Sequence, residues 1–365
     1  MTSVTIANVW KYYGKTVAVK DLNLECPNNS FLCILGPSGC GKSSTLRMLA
    51  GLEQISAGEI RFGDRRVNEL APKDRDIAMV FENYALYPHK TVFDNIANPL
   101  RLRGLEAPAI DGKVRQAAKL LEIDHLLDRK PAQLSGGQKQ RVAIGRAIVR
   151  EPALFLFDEP IAHLDAKLRA HMRGELKHLQ RQLGTTTIYV THDQLEALSM
   201  ADSIAVMHEG VLQQLGRPDE IYNRPCNEWV AGFVGDPPMN FLDCRLERHD
   251  GATFACNAAL RQPLTGEQTT LLERKSAGPE VRLGIRPDDV AVQRGPALNG
   301  AIGGEIFVTE PVGGDTLVDI RLPGEQRILA RTRAGFTGDP GEPCALTLQQ
   351  GRMHLFARDT GLAYF

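Results

Sequence analysis

An excess of either charge is missing from this 365-residue chain, in which 43 Lys and Arg stand against 44 Asp and Glu. Without a basic surplus there is no electrostatic footprint for nucleic acid, and none is expected as a partner. No apolar run reaches the ~18 residues that a membrane-crossing helix needs. The start, Met1-Thr2-Ser3-Val4, lacks a charged segment followed by an apolar core, so no signal peptide is expected. Seven cysteines, at 26, 33, 40, 226, 244, 256 and 344, form no Cys-x-x-Cys pair. An odd count at irregular spacing predicts free thiols in a reducing compartment. Repeats and low-complexity stretches are absent too. What remains is 43 % hydrophobic, a soluble-protein composition in a chain long enough for two cores.

Residues 1–235 alternate short apolar runs with helical patterns, which predicts an α/β domain with a mostly parallel sheet. Phe31–Leu35, Leu154–Phe157 and Thr187–Val190 have the length and composition of buried strands. Each leads into a polar loop, and ligands of open α/β sheets bind at such carboxyl ends. Between about 88 and 150 the pattern turns helical. From Asp236 onward the character changes. Thr316–Leu322 sets Val318, Ile320 and Leu322 on one face against Asp319 and Arg321, and glycine turns separate such segments. Residues 236–365 therefore read as a small all-β domain, an OB-like barrel.

Gly36-Pro37-Ser38-Gly39-Cys40-Gly41-Lys42-Ser43 fits the phosphate-loop pattern GxxxxGK[ST], directly after a strand and ahead of a helix opening at Ser44. Glycines let backbone N–H groups wrap phosphates, Lys42 adds a point charge, and the Ser43 hydroxyl suits Mg²⁺. Cys40, beside a helix N-terminus and a lysine, is expected to have a lowered thiol pKa. Asp158 and Glu159 close the second strand, the first suited to Mg²⁺ and the second to general base. His192, after the third strand, is placed to sense a terminal phosphate. Tyr13 is the candidate to stack on adenine, with Trp10 and Tyr12 as competitors.

Leu134-Ser135-Gly136-Gly137-Gln138 is the most specific signal. By average composition it arises by chance on the order of once in two thousand chains of this length. Ser135, Gly136 and Gly137 offer a hydroxyl and open N–H groups before a helix, an anion-binding geometry. Its ordinary alternative is a serine cap with a glycine turn.

With Tyr13, Gly36–Ser43, Leu134–Gln138, Leu154–Glu159 and His192 in this order, the chain resembles an ABC-type ATPase subunit. Arg75–Phe81, Asn83–His89, Leu127–Lys130, Thr191–Gln194, Phe233–Gly235, Pro237–Leu242 and Leu283–Pro287 extend the resemblance to ATPases of maltose- and glycerol-3-phosphate-type carbohydrate importers. The resemblance implies a P-loop ABC ATPase domain with a helical subdomain, then a regulatory β domain. It implies ATP and Mg²⁺ as cofactors, with Ser43, Asp158 and Glu82 at the metal. Glu159, His192 and Lys42 are the catalytic group. It further implies a homodimer or pseudo-dimer in which Ser135, Gly136, Gly137 and Gln138 contact the neighbour's nucleotide in trans. Two membrane-spanning permeases, a coupling groove around 82–89, an extracytoplasmic solute-binding protein acting indirectly, and a peripheral place on the cytoplasmic face of the inner membrane complete the expectation.

Three positions depart from that pattern. Glu82 stands where the family usually has Gln, and should raise the pKa of neighbouring carboxylates. Ile161-Ala162-His163-Leu164-Asp165 replaces the usual Leu-Ser-Asn-Leu-Asp, and Asn98 replaces an aromatic before Pro99. Two other readings stay open: a nucleotide-gated scaffold with little turnover, and a soluble ABC ATPase outside transport. The second predicts coiled-coil insertions or a second cassette, which the sequence lacks.

Overall fold

In the computed structural model, residues 2–297 and 300–365 are described. They divide into two units, one ending at Asp219 and one beginning at Glu220.

The first unit contains β1 (Val4–Tyr13), β2 (Thr16–Cys26), β3 (Phe31–Leu35), β4 (Ala57–Phe62), β5 (Arg65–Arg66), β6 (Ile77–Val80), β7 (Leu154–Asp158), β8 (Thr186–Thr191), β9 (Ser203–His208) and β10 (Val211–Gly216). Its α-helices are α1 (Lys42–Ala50), α2 (Val92–Leu102), α3 (Ala107–Leu120), α4 (Gly136–Ile148), α5 (Ala166–Leu183) and α6 (Gln194–Met200). A six-stranded sheet runs β10-β9-β3-β8-β7-β6, parallel except where β10 meets β9. Every residue of β3, β7 and β8 is buried, as expected of parallel strands covered on both faces. The other sheet, β2-β1-β4-β5, is antiparallel. Its inward residues Val4, Ile6, Val9 and Ile60 share a core with Leu32, Ile34, Leu156 and Ile188.

The phosphate-loop helix α1 is anchored at its far end by Arg75. That buried guanidinium donates to the carbonyls of Met48 and Leu49 at 2.7 and 2.9 Å, and to Leu70 at 2.9 Å. A cation at a helix C-terminus satisfies orphan carbonyls and meets the negative end of the dipole. Gly51 leaves room for it, since a Cβ there would sit 2.5 Å from Arg75 Nε.

The second unit is built on two antiparallel five-stranded sheets. Its strands are β11 (Asn240–His249), β12 (Ala252–Cys256), β13 (Arg261–Pro263), β14 (Glu280–Ile285), β15 (Val290–Arg294), β16 (Ile302–Pro311), β17 (Asp315–Arg321), β18 (Arg327–Arg333), β19 (Pro343–Leu348) and β20 (His354–Ala357). The orders are β13-β12-β11-β14-β20 and β15-β19-β16-β17-β18. One apolar core draws on both, from Leu242 and Leu283 to Val318, Ile320 and Leu346. Alternation in β17 buries Val318 and Ile320 as the sequence pattern indicates. The packing boundary lies ahead of the change in sequence character at Asp236. Arg286 supplies a reason: buried in this unit, it donates to the carbonyls of Tyr222, Ala231 and Val234 and lies 4.1 Å over the Tyr222 ring. Residues 220–235 are thereby stapled to the β domain.

Arg75→Leu should orphan several buried carbonyls and lower unfolding stability of the first unit by about 2–4 kcal/mol. A urea melt followed by Trp10 fluorescence in a Trp229→Phe background measures it.

Candidate nucleotide site

β3, β8 and β7 are neighbours, with Leu35 paired to Thr191 and Asp158 to Val190. Their carboxyl ends deliver the phosphate loop, His192 and the Asp158-Glu159 pair to one edge of the sheet. Buried Glu196 in α6 fixes the end of β8. It accepts from the Tyr189 hydroxyl at 2.8 Å and the Thr191 hydroxyl at 2.7 Å.

In the phosphate loop, Lys42 is buried and its ammonium donates to the carbonyls of Gly36 and Pro37, both at 2.9 Å. Gly36 is sterically required, since a Cβ would sit 2.3 Å from the Met207 carbonyl oxygen. Gly41 is required twice over: its φ is +100°, and a Cβ would lie 2.5 Å from the Ala18 carbonyl oxygen. Gly39 also takes a positive φ. The Ser43 hydroxyl donates to Asp158 Oδ1 at 3.1 Å. Ser44 receives the Tyr13 hydroxyl at 3.4 Å, and Tyr13 also contacts Glu53. Trp10 and Tyr12 stack on each other, centroids 5.9 Å apart, whereas Tyr13 reaches the loop helix with its ring half exposed.

Cys40 corrects the sequence expectation. Its thiol is 2 % exposed, and burial pushes its pKa up, outweighing the pull of Lys42. The sequence showed the lysine and the helix start but not the apolar packing.

Asp158 is buried, and its pKa is raised, chiefly by desolvation, against the Ser43 hydrogen bond; Glu159 and Glu82 add smaller upward pushes. The influence expected of Glu82 is present but minor. Glu159 sits at φ +44°, the left-handed region that is strained for a side chain of this kind. Its Oε2 lies 2.8 Å from His192 Nδ1, which ties the second carboxylate to the imidazole.

Ser135 caps α4 through a capping box: its Oγ accepts from Gln138 N–H at 3.3 Å, while Gln138 Oε1 accepts from Ser135 N–H at 3.0 Å. The ordinary capping geometry is therefore part of this motif. Gly136 and Gly137 pack on Leu164 and Leu168; a Cβ at either would lie 3.0 Å from a leucine methyl, a tight contact that the leucine would have to yield to.

Two arginines escaped the sequence reading. Arg146 in α4 donates to the carbonyls of Tyr84 (3.0 Å) and Ala85 (2.6 Å), consecutive residues at φ +60° and +46°. Arg169 in α5 donates to the carbonyls of Ala162 (3.3 Å) and Leu164 (3.2 Å) and to Asp193 (3.1 Å). Both bind backbone oxygens, which leave no trace in side-chain patterns. Lys90 reaches Asn98 and lies 4.5 Å over the Tyr87 ring.

A groove of about 560 Å³ lies on this unit. Leu52, Met79, Phe81, Pro99 and Leu102 give its lining an apolar part, and Lys73, Arg103 and Arg150 supply positive charge. Leu102 is 82 % exposed. Phe81, next to the 82–89 segment, is part of the lining. Among the described residues no helix is long and apolar enough to cross a membrane.

Strand order and the glycine-rich loop after β3, with its buried lysine, give this unit the fold of an ATP-binding cassette. The chain belongs to the ABC transporter family, and within it to the ATP-binding subunits of importers, ATPases coupled to transport. It matches the ABC transporter family over residues 19–162, the MalK OB fold domain over 235–290 and the TOBE domain over 283–356. The trehalose/maltose import ATP-binding protein MalK of Thermococcus litoralis is 49% identical, with 100% of both chains covered. The sn-glycerol-3-phosphate import ATP-binding protein UgpC of Escherichia coli is 46% identical over 95% of each chain. Among solved structures, a dimeric post-hydrolysis ATP-binding cassette bound to ADP and Pi superposes with a TM-score of 0.54 at 30% identity, covering 59% of this chain and 98% of that one.

With its thiol buried and its pKa raised, Cys40 should stay unmodified when the folded protein meets iodoacetamide at pH 7.5. Peptide mass spectrometry reads this, with unfolded protein as the fully labelled control.

Proposed function

We propose that the chain powers import of a carbohydrate or related polyhydroxylated solute by hydrolysing MgATP at this site. The carrying observation is the pairing of Glu159 with His192 beside the Ser43–Asp158 hydrogen bond. Lys42 draws charge from the outer phosphates, and Gly36–Ser44, apart from Pro37, present N–H groups around them. Tyr13 stacks on the adenine. Glu159 takes a proton from the attacking water, with His192 holding its carboxylate and facing the terminal phosphate.

Ser43, Asp158 and Glu82 would hold Mg²⁺, which would supply positive charge against the outer phosphates. The donor set fits. Mg²⁺ keeps most of its shell as water and phosphate oxygen, so one hydroxyl and one or two carboxylates suffice. No cage of three or more His, Cys, Asp or Glu is found among the described residues, and none is needed.

Ser135, Gly136, Gly137 and Gln138 complete the site of a second ATPase subunit, in a homodimer or pseudo-dimer. The dimeric cassette that superposes on this chain supports that reading. The apolar, basic groove receives a helix of a membrane-spanning permease, one of two beneath which the ATPases sit at the cytoplasmic face of the inner membrane. An extracytoplasmic binding protein would select the solute. The solute class rests on relatives whose names specify trehalose/maltose, oligosaccharide and glycerol-phosphate import. The C-terminal β unit serves as the regulatory module.

A low-turnover scaffold has specific support in Glu82 and Ala162. Single-turnover assays separate the readings. Glu159→Gln should retain ATP binding and lose hydrolysis by about 10²- to 10⁴-fold; absence of hydrolysis in the unaltered assembly, with ATP bound, favours the scaffold. Leu102→Asp in the groove should reduce permease recovery on co-purification roughly tenfold or more, the effect of losing an interface hot spot. Thermal shift of the co-purified binding protein against a sugar panel identifies the solute.

A further inference from the structure

Two of the three departures from the importer ATPase pattern, Glu82 and His163, lie far apart in sequence and meet in space. His163 Nε2 is 3.3 Å from Glu82 Oε1. A second carboxylate–histidine pair stands at the same site, Glu159 with His192, 2.8 Å apart, and both carboxylates are close enough to Asp158 to influence it. The site thus gathers three carboxylates where a polyanion must bind, and two of them have an imidazole partner.

A glutamine offers one acceptor oxygen and one amide donor, whereas an ionised glutamate offers two acceptor oxygens. A donor held against one oxygen engages that oxygen and leaves the second as the unengaged one. His163 can supply that donor from Nε2, as the corresponding neutral tautomer or as imidazolium. Resting on the ATPase reading above, we propose that His163 is a positioning residue for Glu82. It occupies Oε1, leaving one carboxylate oxygen to face the nucleotide as a glutamine would. The two substitutions are then one coupled change.

Side chains of Glu82 and His163 are 52% and 61% exposed, so the pair adds little to fold stability. Its consequence is confined to the site. Substituting either residue should leave the melting temperature of the chain almost unmoved.

The test is a double-mutant cycle on the full-length chain in its assembled transporter. Turnover is measured under saturating MgATP, and equilibrium affinity for a fluorescent ATP analogue is measured on the isolated chain. His163→Ala should lower kcat about three- to tenfold and weaken analogue binding about threefold. In a Glu82→Gln background, His163→Ala should change neither. His163→Gln, which keeps a donor at about the position of Nε2, should restore most of the loss. Equal effects of His163→Ala in both backgrounds, or no effect in either, overturn the proposal. An assembly with no turnover at all would sink the ATPase reading, while the binding cycle would still decide the pair.

Discussion

Parallel pairing of β3, β8 and β7 is the constraint on which the nucleotide site depends. Every residue of the three strands is buried, in a sheet covered on both faces, and each strand ends in a polar turn. Once the three are adjacent, their turns must share an edge. Register then becomes chemistry: a one-residue slip between β7 and β8 would invert the faces of Asp158 and its neighbours. An aromatic column opposes such slippage, with Tyr189 packed 5.8 Å from Phe31 and 6.0 Å from Phe157. Glu196 adds a polar lock by taking both Tyr189 and Thr191 hydroxyls. Its pKa is raised by burial, opposed by those same hydrogen bonds.

The sequence carried the strands and the loaded turns because short apolar runs and glycine-rich loops have few physical alternatives. Phe31–Leu35 is found as a strand with the boundaries its composition indicates, and the runs at 154 and 187 lengthen only slightly. The alternation in Thr316–Leu322 was equally plain. Harder to read were groups whose partners are main-chain oxygens. Arg75, Arg146, Arg169 and Arg286 each gather two or more carbonyls, and nothing in their neighbours' side chains announces it. Cys40 misled for a related reason. Helix dipole and lysine are local and visible, whereas burial is a property of the folded surroundings, here the deciding one.

Those arginines explain how departures from the family pattern can be accommodated. The loop after Glu159 loses a hydroxyl at Ala162 and gains an imidazole at His163, yet its path is held through backbone. Arg169 grips the carbonyls of Ala162 and Leu164, and Asp165 caps α5 by accepting from Leu168 N–H. Glu159 carbonyl oxygen accepts from Ala162 N–H at 3.2 Å. None of these bonds uses the side chains at 162 or 163. The segment after Phe81 follows the same logic: Arg146 binds the carbonyls of Tyr84 and Ala85 while Asn95 binds the main chain of Tyr87. Residues 82 and 163 are therefore free to change chemistry without unseating the loops that present them. Because the backbone brings both to the same place, a carboxylate introduced at one is within reach of an imidazole at the other.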